Sequence, residues 1–281
     1  MQPKADAADF LGRFREIVSD PLNLLINRHP LSGTLNGDFV YLHNGNKVAL
    51  SGPYAYYGGF SDILVINRGV HEPLEEYVFQ EMLRVLPKAP AMLELGAYWG
   101  HYSMWLKKVR PESSVYLIEP DTSNIQAGQY NFLQNNYQGE FIQEFVGQGQ
   151  FEVDTFLKAR KLSSLDVLHA DIQGYEIEML NGSSDALSKK LINYIFVSTH
   201  SQSLHADVTN LLGLFGYRVE VAANFDSDTT SYDGFVFASS PLVEALFEHF
   251  KPLGREQISK SQPIDIVSIL QETLNATRVK P

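Results

Sequence analysis

The 281-residue chain has no cysteine, which excludes disulfides, thiolate metal sites and a cysteine nucleophile together. Any metal must then be held by histidine and carboxylates. Long apolar runs are also missing: nothing approaches the ~18 consecutive apolar residues of a membrane span. The start, MQPKADAADFLGRFREIVSD, mixes both charge signs without the sections of a signal peptide. A cytoplasmic protein with no membrane insertion is therefore expected. Basic charge is sparse, 22 Lys and Arg against 33 Asp and Glu, and forms no dense block. Neither a nucleic-acid backbone nor an anionic membrane is expected as the main partner, and a small or weakly charged substrate fits better. What is present is a hydrophobic content of 44%, enough for a real core and one large α/β unit with additions.

Along the chain, residues 1–70 form an extension. A short helix over about 8–18 precedes the loop NRHPLSGTLNG. The segments DFVYLH and KVALSG then flank Asn44-Gly45-Asn46, a hairpin signal. The aromatic segment YAYYGGF follows. Its Tyr54, Tyr56, Tyr57 and Phe60 either pack as core or close as a lid over a substrate, with Gly58 and Gly59 letting the loop move. Residues 71–240 are the organised domain. It opens with HEPLEEYVFQEMLRVL, an amphipathic pattern with Pro73 at the first helical position.

Strands and helices then alternate: AMLELG, SVYLIEP, EFIQEFVG, DVLHADIQG and NYIFVSTHS are each followed by a helical pattern. YRVEVAANF and GFVFASSP can pair as a hairpin. The prediction is a doubly wound, seven-stranded, mostly parallel sheet with an antiparallel edge. Residues 241–281 carry two helical patterns, a packing or homo-oligomerisation appendage.

In such a sheet, ligands bind outside the carboxyl ends of the strands, beside the point where strand order reverses. The first strand ends in Glu94-Leu95-Gly96-Ala97-Tyr98-Trp99-Gly100. Gly96 allows a tight turn and Gly100 a close approach of the next helix to a ligand. The dinucleotide fingerprint needs a middle glycine, and here bulky Tyr98 and Trp99 stand instead. The second strand ends at Glu119, placed to accept ribose hydroxyls, with Asn124 a helix cap or a second ribose contact. After the third strand, Phe145 to Gln148 offer an apolar wall and an amide to an adenine ring, or form a plain polar turn. The fourth strand carries Asp171 and the fifth ends at His200, neighbours in space despite 29 residues of separation. Each has a bland alternative: Asp171 as a helix cap, His200 as a buried, hydrogen-bonded ring. His205, Asp226 and Asp228 read as loop residues, with help in holding a divalent metal as the alternative.

Four stretches in order, HEP at 71–73, ELGAYWGHYS at 94–103, IEPDTSN at 118–124 and DIQGYEIEMLNG at 171–182, make the chain resemble the FkbM-type S-adenosylmethionine-dependent methyltransferases of the class I, Rossmann-like fold. The resemblance covers about residues 70–240. It departs from the family at Gln173, where an acid is usual. It implies S-adenosylmethionine as cofactor. Glu94, Gly96, Tyr98, Gly100 and Ser103 would lie around its methionine part, with the helix start giving N–H groups to its carboxylate. Glu72 would lie by its amino group, Glu119 and Asn124 by its ribose and Gln148 by its adenine. Asp171 and Glu176 would sit between cofactor and acceptor. Family members mostly methylate oxygen, so the expected partner is a small-molecule hydroxyl acceptor such as a sugar or natural product.

Asp171 and His200 are the candidate bases, or the ligands of a divalent metal that lowers the acceptor's pKa instead. Two other functions remain open on these residues. One is a nicotinamide-dependent oxidoreductase, disfavoured by the missing glycine; the other is a non-catalytic carbohydrate-binding or assembly module.

Overall fold

A computed structural model describes residues 7–56, 58–147 and 149–279. The extension holds α1 (Ala7–Ser19), the short strands β1 (Leu35–Asn36), β2 (Phe39–Tyr41) and β3 (Lys47–Ala49), and α2 (Ile63–Ile66). The three strands pair antiparallel, and Gly45, at φ +83°, turns the hairpin between β2 and β3. The domain follows as α3 (Pro73–Val85), β4 (Ala91–Leu95), α4 (His101–Val109), β5 (Ser114–Ile118), α5 (Thr122–Gln134), β6 (Glu140–Ile142), α6 (Val153–Arg160) and β7 (Leu165–Ala170). Then come α7 (Glu176–Asn181), α8 (Ser184–Ser188), β8 (Ile192–Thr199), α9 (Gln202–Leu214), β9 (Arg218–Ala223) and β10 (Gly234–Ser239). The appendage carries α10 (Arg255–Lys260) and α11 (Pro263–Ala276).

The predicted seven-stranded sheet is present, in the order β6-β5-β4-β7-β8-β10-β9. β4 to β8 run parallel, while β10 is antiparallel to both β8 and β9. The chain moves outward from β4 through β5 to β6, then returns to lay β7 against β4. The order therefore reverses between β4 and β7, where a ligand is expected. The antiparallel strand lies one place in from the rim, so its amino end shares an edge with the carboxyl ends of the parallel strands.

Alternation along the strands feeds two cores. Met92, Val167 and Phe196 face one, with the extension, α3 and α4; Leu93, Leu168 and Ile195 face the other, with residues of α6 to α9. Helix α3 differs from the amphipathic expectation, since every residue from Pro73 to Leu83 is buried. It lies beneath the extension and the appendage, where Phe247, Phe250 and Ala276 join the same core. Its acids can be buried because they meet partners: Glu75 meets His169, Glu76 meets His43 and His71, and Glu81 meets Arg84. The single helix expected after β7 breaks at Gly182-Ser183 into α7 and α8. Among the described residues, no helix is long and apolar enough to cross a membrane.

Candidate active site

The switch point is built by backbone before side chains. Gly96, at φ +70°, turns the chain after β4, and a Cβ there would lie 1.8 Å from the Asp171 carbonyl oxygen. Asp171 N donates to Leu95 O at 3.0 Å, so the ends of β4 and β7 are clamped together. Only glycine admits this contact, and the contact fixes where the Asp171 side chain starts. Gly100 differs from expectation. The space its Cβ would fill is occupied by Phe132 at 2.9 Å and Leu117 at 3.2 Å, so glycine there serves helix-to-sheet packing and a left-handed turn (φ +74°).

Glu119, buried at the end of β5, accepts from Tyr98 N (3.1 Å), Asp121 N (2.9 Å) and Asn124 Nδ2 (3.2 Å). Burial raises its pKa against these donors. Three bonds leave part of a carboxylate's acceptor capacity for ribose hydroxyls. The cap of α5 is Asp121 rather than Asn124, whose amide instead steadies Glu119. Glu94 turns towards α4 and accepts from Ser103 N at 3.0 Å. The anion-binding start of that helix is thus partly filled by the protein's own carboxylate. Glu72 accepts from the Tyr102 hydroxyl at 2.9 Å. Burial, together with Glu75 and Asp171 and against His71, pushes Glu72 up to about 8. Gln148 and Tyr57 lie outside the described residues. Phe145, beyond the end of β6, makes an exposed T-shaped pair with Tyr175, ring centroids 4.5 Å apart. Tyr56 stacks on Trp99 of the glycine loop at 4.7 Å and Tyr54 on Tyr130 at 4.6 Å, while Phe60 is buried against Phe10 and Phe14.

Asp171, Glu176 and His200 come together as predicted. His200 Nε2 is 3.1 Å from Asp171 Oδ1, and Nδ1 is 2.8 Å from Glu176 Oε1. The left-handed residues Gln173 (φ +55°) and Gly174 (φ +103°) make the turn that returns fully buried Glu176 to the cleft. The Gln173 amide donates to Asp171 at 2.9 Å and lies 2.7 Å from His200 Nε2. One further acid was not singled out from the sequence: Asp233, whose Oδ1 is 3.7 Å from His200 Nε2.

Burial alone would lower the His200 pKa, yet Asp171, Glu176 and Asp233 overcome it and hold the ring up to about 11. His200 is an imidazolium at neutral pH. A carboxylate stands on each ring nitrogen, Asp171 on Nε2 and Glu176 on Nδ1, and both favour the charged ring. Burial pulls Asp171 upwards, but His200 and Gln173 outweigh it and hold the carboxyl low. Burial and the neighbouring Asp171 push Asp233 up to about 7, with His200 opposing, which makes it the acid of this cluster poised as a base near neutrality. His205 is a buried residue of α9 rather than a loop residue, its Nδ1 3.1 Å from Thr199 Oγ1.

The sequence profile of the methyltransferase FkbM domain matches residues 70–219, just over half of the chain. The chain belongs to the FkbM methyltransferase family. A search of curated proteins returned no significant match. Among solved structures, it is similar to the methyltransferase FkbM from Methylobacillus flagellatus KT. Identity is 18% over 64% of this chain and 52% of that one, with a TM-score of 0.44. It is also similar to the precorrin-6y C5,15-methyltransferase from Geobacter metallireducens GS-15, at 16% identity over 57% and 84% of the two chains and a TM-score of 0.42. M. capricolum TrmK, solved with S-adenosyl-homocysteine, gives 10% identity over 71% and 83% and a TM-score of 0.42. These likenesses concern the fold alone.

The FkbM domain is thus an S-adenosylmethionine-dependent methyltransferase. The donor set fits that cofactor: Glu119 keeps acceptor capacity at the end of β5 for ribose hydroxyls, and Glu72, held by the Tyr102 hydroxyl at 2.9 Å, would meet the ammonium.

Proposed function

We propose that this methyltransferase acts on a hydroxyl oxygen of a small molecule, a sugar or a natural-product scaffold. Bound S-adenosylmethionine supplies a methyl group on a good leaving group. The chain must hold the acceptor in line and take its proton. Asp233 receives the proton, since a carboxylate titrating near 7 is both populated and basic at neutral pH. Asp171 and Glu176 hold His200 in the charged form, and that cation steadies the site as Asp233 changes charge. The observation that carries the reading is this arrangement of three carboxylates around one imidazolium at the rim of the switch point. A hydroxyl, with a pKa comparable to the ~15.7 of water, needs an anionic base more than an amine or thiol does.

The test is to measure S-adenosylhomocysteine release with matched acceptors bearing a hydroxyl, an amine or a thiol on the same scaffolds, and to locate the methyl group by NMR. O-methylated product is expected. Turnover confined to amines or thiols would overturn the proposal.

A further inference from the structure

A second polar cluster lies apart from Asp171 and His200, beneath the glycine loop. His43 comes from the turn between β2 and β3, Glu76 from α3 and His101 from the first position of α4. All three are buried, at 0%, 0% and 2% exposure. Each brings a ligand atom to within 4.8 Å of the other two. Donors around a four-coordinate ion with bonds of ~2.1 Å stand about 3.4 Å apart, so closing on an ion needs shifts of about an ångström. His101 Nε2 is already 3.5 Å from Glu76 Oε1.

The cluster is unfinished as a hydrogen-bond network. His43 Nε2 and His101 Nδ1 are buried without a partner, while Glu76 Oε2 and His101 Nε2 have only looser contacts, 3.3 Å to His43 Nδ1 and 3.5 Å to Glu76 Oε1. A buried polar atom that nothing meets is destabilising, so such atoms in a native core call for a partner. The outer contacts, by contrast, are those of a metal site. The His43 ring meets both Gly69 O (2.9 Å) and Glu76 Oε2 (3.3 Å) through Nδ1, its Nε2 having no protein partner, and His71 Nδ1 holds Glu76 Oε1 at 2.6 Å.

We propose that His43, Glu76 and His101 bind a divalent transition metal of the zinc class, with His71 orienting the carboxylate. Two imidazoles and one carboxylate without sulfur are a zinc-type donor set. The ion is structural: it joins the extension, α3 and α4 immediately behind the glycine loop, where His101 also stacks on Trp99 at 5.1 Å. Because the site is enclosed, the ion enters as the chain folds.

The experiment uses the full chain without an affinity tag, exchanged through a weak chelator and assayed by elemental mass spectrometry. Stoichiometric zinc is expected in the wild type and in Asp171→Asn, with a fall to background in His101→Ala and Glu76→Gln. Should those variants fail to fold, the wild-type chain refolded with Co2+ provides the second measurement, by its visible d–d absorption. Less than about a tenth of an equivalent of zinc together with no Co2+ band would overturn the proposal. So would metal lost from Asp171→Asn and kept by His101→Ala.

Discussion

The substitution His200→Gln removes the cation that lies between Asp171, Glu176 and Asp233. The wild-type ring nitrogens lie 3.1, 2.8 and 3.7 Å from those three carboxylates. Moving the ring from 6.5 to about 11 corresponds to about 6 kcal/mol in favour of imidazolium over imidazole. The variant does not lose all of this, because carboxylates can take up protons and water can enter. Removing one member of a buried ion pair costs about 3–5 kcal/mol, and that is the loss expected near pH 7.

The sign of the pH dependence follows from the direction of the shift. His200 is raised in the folded state, so its contribution is complete below the unfolded value of 6.5 and is lost as pH rises through about 11. In the variant, carboxylates without a counter-charge keep protons to higher pH, and acid relieves their repulsion. The stability difference between wild type and variant should therefore peak near neutrality and shrink towards both about pH 5 and about pH 10. Urea unfolding at those three pH values, extrapolated linearly, gives the difference directly. A deficit below about 1 kcal/mol at neutral pH, or one that does not vary with pH, would refute the claim that a buried imidazolium holds this cluster together.

Asp233→Asn should lower kcat by about 10²–10⁴ while leaving cofactor affinity within a few-fold. Wild-type kcat/KM for the acceptor should rise through about pH 7 as Asp233 ionises, and a variant that keeps this limb would show the base to be elsewhere. Gln173→Glu restores the usual acid of the family and adds a fourth negative charge beside His200. The limb should move to higher pH, and an unmoved pH–rate profile would mean that residue 173 does not feel the reacting carboxylate. Glu72, pushed up to about 8, is mostly protonated at pH 7 and should ionise when an ammonium settles beside it. Calorimetry of S-adenosylmethionine binding in buffers of different ionisation enthalpy should show close to one proton released per site at pH 7. Glu72→Gln should abolish that release, and an unchanged release in the variant would assign the proton to another group.

What the sequence made legible was whatever parallel βαβ connectivity determines. Because β4, β5, β7 and β8 run the same way, their carboxyl ends must share one rim, and Gly96, Glu119, Asp171 and His200 could be placed there by counting strands. Charge states were not legible, since they depend on distances. Nothing in DIQGYE or STHS says that His200 lies between two carboxylates that favour its charged form. The clamp of Gly96 against the Asp171 carbonyl was likewise hidden, as was the burial of α3, whose Glu75 finds His169 from 94 positions away.

Asp233 was missed for a different reason, and it had a signal. In a parallel sheet the functional rim is sought where strands end, but β10 runs the other way, and Gly234 at its start pairs with Thr199 at the end of β8. A residue just before the antiparallel strand therefore occupies the same rim as one just after a parallel strand. The stretch TSYDGFVF sets an acid beside a glycine at that place. Once the last two strands are read as a hairpin with β10 inward, its starting residues belong among the candidates, and Asp233 is the only acid in that turn from Thr229 to Gly234.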